Sequence, residues 1–340
     1  MAQQGRLAPV LVTCGLAILL GVGSYLWANH ADLPYAASPP EKVVIANFVY
    51  TGSCPILAAS AHGDFTREGV SVTIESYGSG KATLDALRSG RADLAIAGDL
   101  PLMFAIMDRQ SISVVASIVR AQNVLGIVGR KDKGISTPAD LKGKTIGVTI
   151  GTAGHYALDA YLARQKLTEH DITIRDIAAD DMFRPLVSGE IDGASNWQPY
   201  LNTLQMQLGR NGVTFQTGDL YTATLNVVGT ESYVASHTEA LKRITRALVL
   251  GAQYCKDNPA DARDLVAKLL QVDANSLGNT WSEYQFKVSL DQRLLLALRD
   301  ESHWAISNKL VERNDVPDFM SHMSPEALQA VAAANVTLAH

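Results

Sequence analysis

A nine-residue stretch that occurs twice does most to limit what this chain can fold into. Residues 87–95 read LRSGRADLA and residues 186–194 read LVSGEIDGA, with five of nine positions identical. Each copy runs into a polar tip and a proline: Gly98-Asp99-Leu100-Pro101 after the first, Asn196-Trp197-Gln198-Pro199 after the second. The pattern reads as a helix end, a glycine C-cap (Gly90, Gly189), a short strand, then a loop that opens another helix. Open α/β sheets hold their ligands where a strand's C-terminal end feeds a helix N-terminus. Two such units predict two similar lobes with a site between them. The competing explanation is chance similarity, since small residues supply several of the matches.

The surrounding chain agrees with a parallel-rich α/β fold. Val43–Ala46, Val70–Glu75, Leu94–Ala97 and Val114–Val119 read as strands alternating with helical segments. Thr137-Pro138-Ala139-Asp140 is a helix start with a Thr cap and Pro at the first position. Residues 126–130 and 225–229 are apolar strands expected to form two hinge crossings. The expected division is residues 42–129 plus 225–340 for lobe 1 and 130–224 for lobe 2.

Leu7 to Ala28 is almost wholly apolar and follows Arg6. A span of the hydrocarbon core needs about 20 such residues. Residues 1–28 therefore read as a membrane anchor or a signal segment, with a cleaved signal peptide and a lipoprotein signal as alternatives. All three export the remainder of the chain. Residues 29–41 read as a linker closed by two prolines. The expected location is the periplasm, with residues 7–28 holding the protein to the inner membrane.

Composition excludes several functions. Net charge is −5 with no basic block, which gives nucleic acid no electrostatic foothold. Three cysteines and eight scattered histidines form no zinc spacing, and no metal or cofactor is expected.

Three loops share one physical form, with small or polar residues at a strand end followed by a helix N-terminus. They are Thr51-Gly52-Ser53-Cys54, Gly98-Asp99 and Gly151-Thr152-Ala153-Gly154-His155. Free N–H groups and the helix dipole favour negative charge there, so a small oxyanion is the expected ligand. No phosphate loop or dinucleotide fingerprint is present. Arg120, after a predicted strand, could add a formal positive charge, although a surface position is the plainer reading. Asp99 either caps its helix or holds a ligand amine. His155 is a candidate donor, and Trp197 walls the pocket or sits in core. Cys54 at a helix start reads as a thiol of lowered pKa, with a Cys54–Cys255 disulfide as the alternative in an oxidising compartment.

The residues AGDLP at 97–101, DLKGKTIGV at 140–148, IGTAGH at 150–155, SGEIDGASNWQPY at 188–200 and VSLDQRLLLALRDESHWA at 288–305 carry a resemblance. Over about residues 41–310 the chain resembles the periplasmic substrate-binding proteins of ABC importers for sulfonates, taurine and nitrate-like solutes, a group related to thiamine-precursor binders. The resemblance implies a two-lobed α/β periplasmic binding protein fold of type II that closes on its ligand. It also implies an ABC permease as partner, and no catalysis. By the same resemblance the ligand loops are Gly52-Ser53-Cys54, Gly98-Asp99, Gly151–His155 and Asn196-Trp197-Gln198. Gln198 is neutral where many relatives carry an acidic residue, which disfavours taurine. A sulfonate-like anion is the first expectation, an anchored sensor the second, and an enzyme on the same fold the third.

Overall fold

A computed structural model of the chain describes residues 40–338. The expected anchor or signal segment, and the linker as far as Pro39, lie outside these residues. The linker's last residue, Glu41, already belongs to the first strand. Among the described residues no helix is long and apolar enough to cross a membrane.

Two sheets organise residues 41–338, which form one compact unit. The first contains strands β1 (Glu41–Phe48), β2 (Val70–Tyr77), β3 (Leu94–Gly98), β4 (Ile112–Ala121), β10 (Ala223–Thr230), β11 (Tyr284–Asp291) and β12 (Val336–Thr337). Their order across the sheet is β12-β11-β4-β10-β3-β1-β2. The second contains β5 (Leu125–Arg130), β6 (Thr145–Val148), β7 (Thr173–Asp176), β8 (Gly193–Trp197) and β9 (Gly212–Gln216), in the order β7-β6-β8-β5-β9.

The duplicated stretch has one structural job, performed in each sheet. Both copies end a helix, Gly80–Arg88 in the first and Phe183–Ser188 in the second. Gly90 and Gly189 then take left-handed φ of 70° and 81°, where a Cβ is penalised. The repeated serines donate back to backbone carbonyls, Ser89 to Ala86 and Ser188 to Pro185. The repeated aspartates clamp the neighbouring parallel strand. Asp93 accepts from Val44 N–H at 2.7 Å, and Asp192 accepts from Thr145 N–H at 2.9 Å. Each following strand then lies between a parallel and an antiparallel neighbour: β3 between β1 and β10, β8 between β6 and β5. Equivalent bonds from equivalent residues remove chance similarity as the explanation.

The lobe boundary differs from the expected one. β5 pairs with β8 and β9, so residues 125–130 are an inner strand of the second sheet rather than a crossing. Residues 223–230 likewise lie wholly in the first sheet, between β3 and β4. The chain passes between sheets in residues 122–124 and 217–222. An apolar run buried on both faces suits the middle of a sheet. The short segments beside it are what change direction.

The largest apolar cluster surrounds the first sheet, with Ile45, Leu94, Ile96, Leu100 and Ile118 fully buried. The second sheet buries a separate cluster on each face, because alternate strand residues point to opposite sides. Ile127 packs with Leu158 and Leu162 on one face, and its neighbour Val128 packs with Leu186 and Leu201 on the other. Helix Ala153–Arg164 is thereby fixed to the second sheet, and helices Cys54–Ala61 and Thr238–Asp257 to the first.

Candidate functional site

A cavity of about 50 Å³ lies where the C-terminal ends of β1, β3 and β8 meet the start of β10. That volume holds a few waters or a small polar group. Its walls come from both lobes. Phe48, Tyr50, Tyr221 and Leu225 stand against Trp197, Thr152 and Ala153. Phe48 stacks on Tyr50 with centroids 5.3 Å apart and meets Trp197 edge-on at 6.0 Å. Trp197 is 6% exposed, and its Nε1 is buried without a hydrogen-bond partner among the described residues. An unpaired buried donor costs about 1–3 kcal/mol, a cost that a ligand acceptor would remove.

Three helices begin at this cavity. Helix Ala153–Arg164 starts at Thr152, whose hydroxyl donates to Thr149 O at 2.7 Å, and no side chain caps the helix N–H groups. Helix Gly80–Arg88 starts at Ser79, whose Oγ accepts from Ala82 N–H at 3.2 Å. Ser79 and Gly80 line the cavity, although sequence reasoning passed over them. The signal was present: Tyr77-Gly78-Ser79-Gly80 is a small, polar strand end before a helix, the same form as the other three loops. A Cβ at Gly80 would be tight, 3.0 Å from Gly98 N and 3.3 Å from Pro101 Cγ.

Asp99 begins the third helix, Asp99–Met107, and is 1% exposed. Its carboxylate accepts from the Tyr221 hydroxyl, from Leu100 N–H at 3.0 Å, and from Thr224 N–H and Oγ1 at 3.0 and 3.2 Å. Burial raises its pKa to about 6 against the opposing effect of these donors. Asp99 thus ties its helix to β10 and supplies the cavity's acidic side.

Several expected ligand contacts are committed elsewhere. Cys54 is bonded to Cys255, 201 residues away, so it carries no free thiol. Arg120 pairs with Asp291, which also accepts from Arg293 N–H at 3.0 Å, and it does not line the cavity. His155 Nδ1 accepts from Gly151 N–H at 3.4 Å, and its Nε2 lies 2.7 Å from Glu169 Oε1. Asn196 donates to Ala179 O at 3.0 Å and accepts from Trp197 N–H at 2.9 Å. Ser53 donates to Phe48 O at 2.5 Å, orienting the cavity wall from behind. Thr51, Gly52 and Gln198 are buried outside the lining; a Cβ on Gly52 would meet the Tyr50 ring at 2.7 Å. Gly151 and Gly154 shape the loop rather than line it. Gly151 has φ of 75° beside Phe104, and Gly154 packs against Ser195 O. Of the expected residues, the cavity gathers Gly98, Asp99, Thr152, Ala153 and Trp197.

Behind Tyr221, on helix Gln292–Ser307, Glu301 is 1% exposed, and neither of its carboxylate oxygens has a hydrogen-bond partner among the described residues. Burial first, then the negative charges of Asp99 and Asp300, pushes its pKa well above the ordinary carboxyl value. A folded pKa above the unfolded one means that the native state binds the proton more tightly. The stability this confers is fully present below about pH 4.3 and is lost as pH rises toward the folded pKa. Glu301→Gln is therefore expected to raise the melting temperature at pH 8 and leave it nearly unchanged at pH 4. The decline remaining in the variant between about pH 4 and 6 belongs to Asp99. Equal melting shifts at both pH values would refute the assignment.

Comparison with known proteins shows the family and the fold. The taurine-binding periplasmic protein of Escherichia coli strain K12 is 27% identical over 231 residues, covering 67% of this chain and 72% of its own. A putative aliphatic sulfonates-binding protein of Bacillus subtilis strain 168 is 23% identical over 278 residues, covering 79% and 82%. The solved alkanesulfonate-binding protein SsuA of Xanthomonas axonopodis pv. citri, bound to MOPS, superposes with a TM-score of 0.72 at 18% identity, covering 89% of this chain and all of its own. The architecture is the α/β periplasmic binding protein fold with two sheets. The family model described as NMT1/THI5 like matches residues 50–262, and the chain belongs to that family.

Proposed function

We propose that the protein is an extracytoplasmic solute-binding component of an ABC importer. It holds a small organic oxyanion, a sulfonate before other classes, and presents it to a membrane permease. The observation that carries this reading is the uncapped N-terminus of helix Ala153–Arg164 facing an aromatic wall with the unpaired Trp197 indole N–H. Main-chain and indole donors suit an oxyanion, and the rings of Phe48, Tyr50 and Trp197 suit its organic part. Among the described residues no lysine or arginine lines the cavity, so the negative charge rests on neutral donors and helix dipoles. The taurine and sulfonate binding named for two relatives supports the same class. In this reading the lobes close about residues 122–124 and 217–222, and the apolar segment 7–28 directs export and holds the protein at the inner membrane.

The test is a thermal-shift and calorimetric screen against ethanesulfonate, aromatic sulfonates, taurine, nitrate and pyrimidines. A sulfonate at a hundredfold excess over its Kd adds about 2.7 kcal/mol to stability. Trp197→Phe keeps the wall and removes the indole donor. It should weaken sulfonate binding by roughly tenfold or more, the worth of a hydrogen bond to a charged group. A shift with pyrimidines or amines alone would overturn the anion reading and leave the fold intact.

A further inference from the structure

Outside the cavity, one side chain of the first lobe is gripped by the second. Helix Gln292–Ser307 follows β11 and packs on helix Asp99–Met107, so it belongs to the first lobe. Its Trp304 projects toward helix Ala153–Arg164, which packs on β5 and β8 of the second. Trp304 Nε1–H donates to Asp159 Oδ2 at 2.7 Å, and Asn308 Nδ2 reaches the same oxygen at 3.3 Å. The indole lies edge-on to His155 and Tyr156, each with centroids 5.2 Å away, and to Phe104 of its own lobe at 6.3 Å. His155 is itself held by Glu169, so the far wall of this slot is fixed. None of Trp304, Asn308 and Asp159 lines the ligand cavity.

We propose that Trp304 and Asp159 form a clasp that sets ligand affinity and residence time without touching the ligand. The inference rests on the reading that the lobes open to admit a solute. A contact present only when the lobes meet is lost on opening, so its free energy adds to the closed state alone. A ligand trapped between the lobes leaves only through the open state. A stronger clasp therefore lowers the dissociation rate and leaves the encounter rate nearly unchanged. Position explains why this pair has leverage. Ala153 at the helix start lines the cavity, and Asp159 lies nearly two turns along the same helix. Closing the clasp brings the uncapped N-terminus onto the solute. The expected ligand donor at His155 thus acquires a different role, as part of the surface that receives Trp304.

The experiment uses the full chain, with Trp304→Phe, Asp159→Ala and the double variant. Phe keeps an aromatic ring in the slot and removes the indole donor. In the absence of any solute, hydrogen exchange should speed up several-fold in the first turns of helix Ala153–Arg164 in each variant. Helix Thr238–Asp257, remote from the clasp, should exchange at the wild-type rate. With ethanesulfonate as probe, stopped-flow should show dissociation roughly tenfold faster, the loss expected for a hydrogen bond to a charged group, and association faster only by the factor that the solute-free exchange gives for the open state. The double variant should be little worse than either single one, because the two side chains act as one contact. Unchanged exchange and unchanged dissociation in folded variants would overturn the clasp, as would fully additive effects. Failure of ethanesulfonate to bind the wild type would count against the sulfonate reading instead, and the solute-free exchange would still decide the clasp.

Discussion

Replacing Cys54 and Cys255 together by alanine is expected to destabilise the protein by about 3–5 kcal/mol. The bond closes a loop across a sequence separation of 201 residues, and both residues are fully buried. Loop-closure entropy in the unfolded chain grows with loop length, so a crosslink this long-range lies at the upper end of the usual range. That loss is a large fraction of a typical domain's stability of about 5–15 kcal/mol. The local consequence concerns the site. Helix Cys54–Ala61 directly follows the turn in which Ser53 holds Phe48, and the disulfide fixes it to helix Thr238–Asp257. Urea unfolding with and without a phosphine reductant checks this. Reduction should lower the wild-type midpoint towards that of the double variant and leave the variant unmoved. Identical midpoints for wild type and variant would rule out the bond.

Gly251→Ala is expected to cost about 3 kcal/mol, at the high end for an overpacked methyl group. A Cβ at Gly251 would sit 2.0 Å from Pro55 O, 3.0 Å from Pro55 C and 3.0 Å from Ala59 N. All three are backbone atoms, so no rotamer change can make room and the two helices must separate. Helix propensity pulls the other way by only about 1 kcal/mol in alanine's favour. Gly278→Ala is the control, since nothing lies within 4 Å of a Cβ there; it should change stability by less than about 1 kcal/mol. Because Gly251 and Cys255 lie one turn apart on one helix, the glycine and disulfide variants should be non-additive. Retained wild-type stability in Gly251→Ala would show that the helices are less closely packed than described.

Much of the architecture was legible because it rests on local chemistry. A glycine in left-handed conformation, a serine bonding back into its own helix and an aspartate just before a strand recur in both lobes with backbone partners at equivalent positions. The boundary at residue 130 was misplaced for an equally physical reason. β5 is apolar like any inner strand, and only its pairing with β8 and β9 shows which sheet receives it.

The site was legible in part. Thr152, Ala153 and Trp197 could be chosen from the form of their loops, and Ser79 and Gly80 could have been chosen by the same criterion. Cys54, Arg120 and His155 could not be judged that way: the disulfide to Cys255 was one of two readings left open for Cys54, and Arg120 and His155 looked available until their partners were located. Those partners are Cys255, Asp291 and Glu169, and the first two lie 201 and 171 residues away in sequence.

The sequence by itself determined the repeated α/β unit, the helix starts that border the cavity and the absence of a metal-binding or nucleic-acid-binding pattern. These depend on backbone preference, periodicity and charge, which act over a few residues. Tertiary structure alone decided which polar groups remain free to meet a solute. It buried Asp99 among Tyr221, Thr224 and Leu100, spent Arg120 on Asp291, and left the Trp197 indole unpaired among the described residues. It also set Trp304 against Asp159 across the lobes. Availability is a property of neighbours, and the neighbours that settle it are brought together only when the two sheets meet.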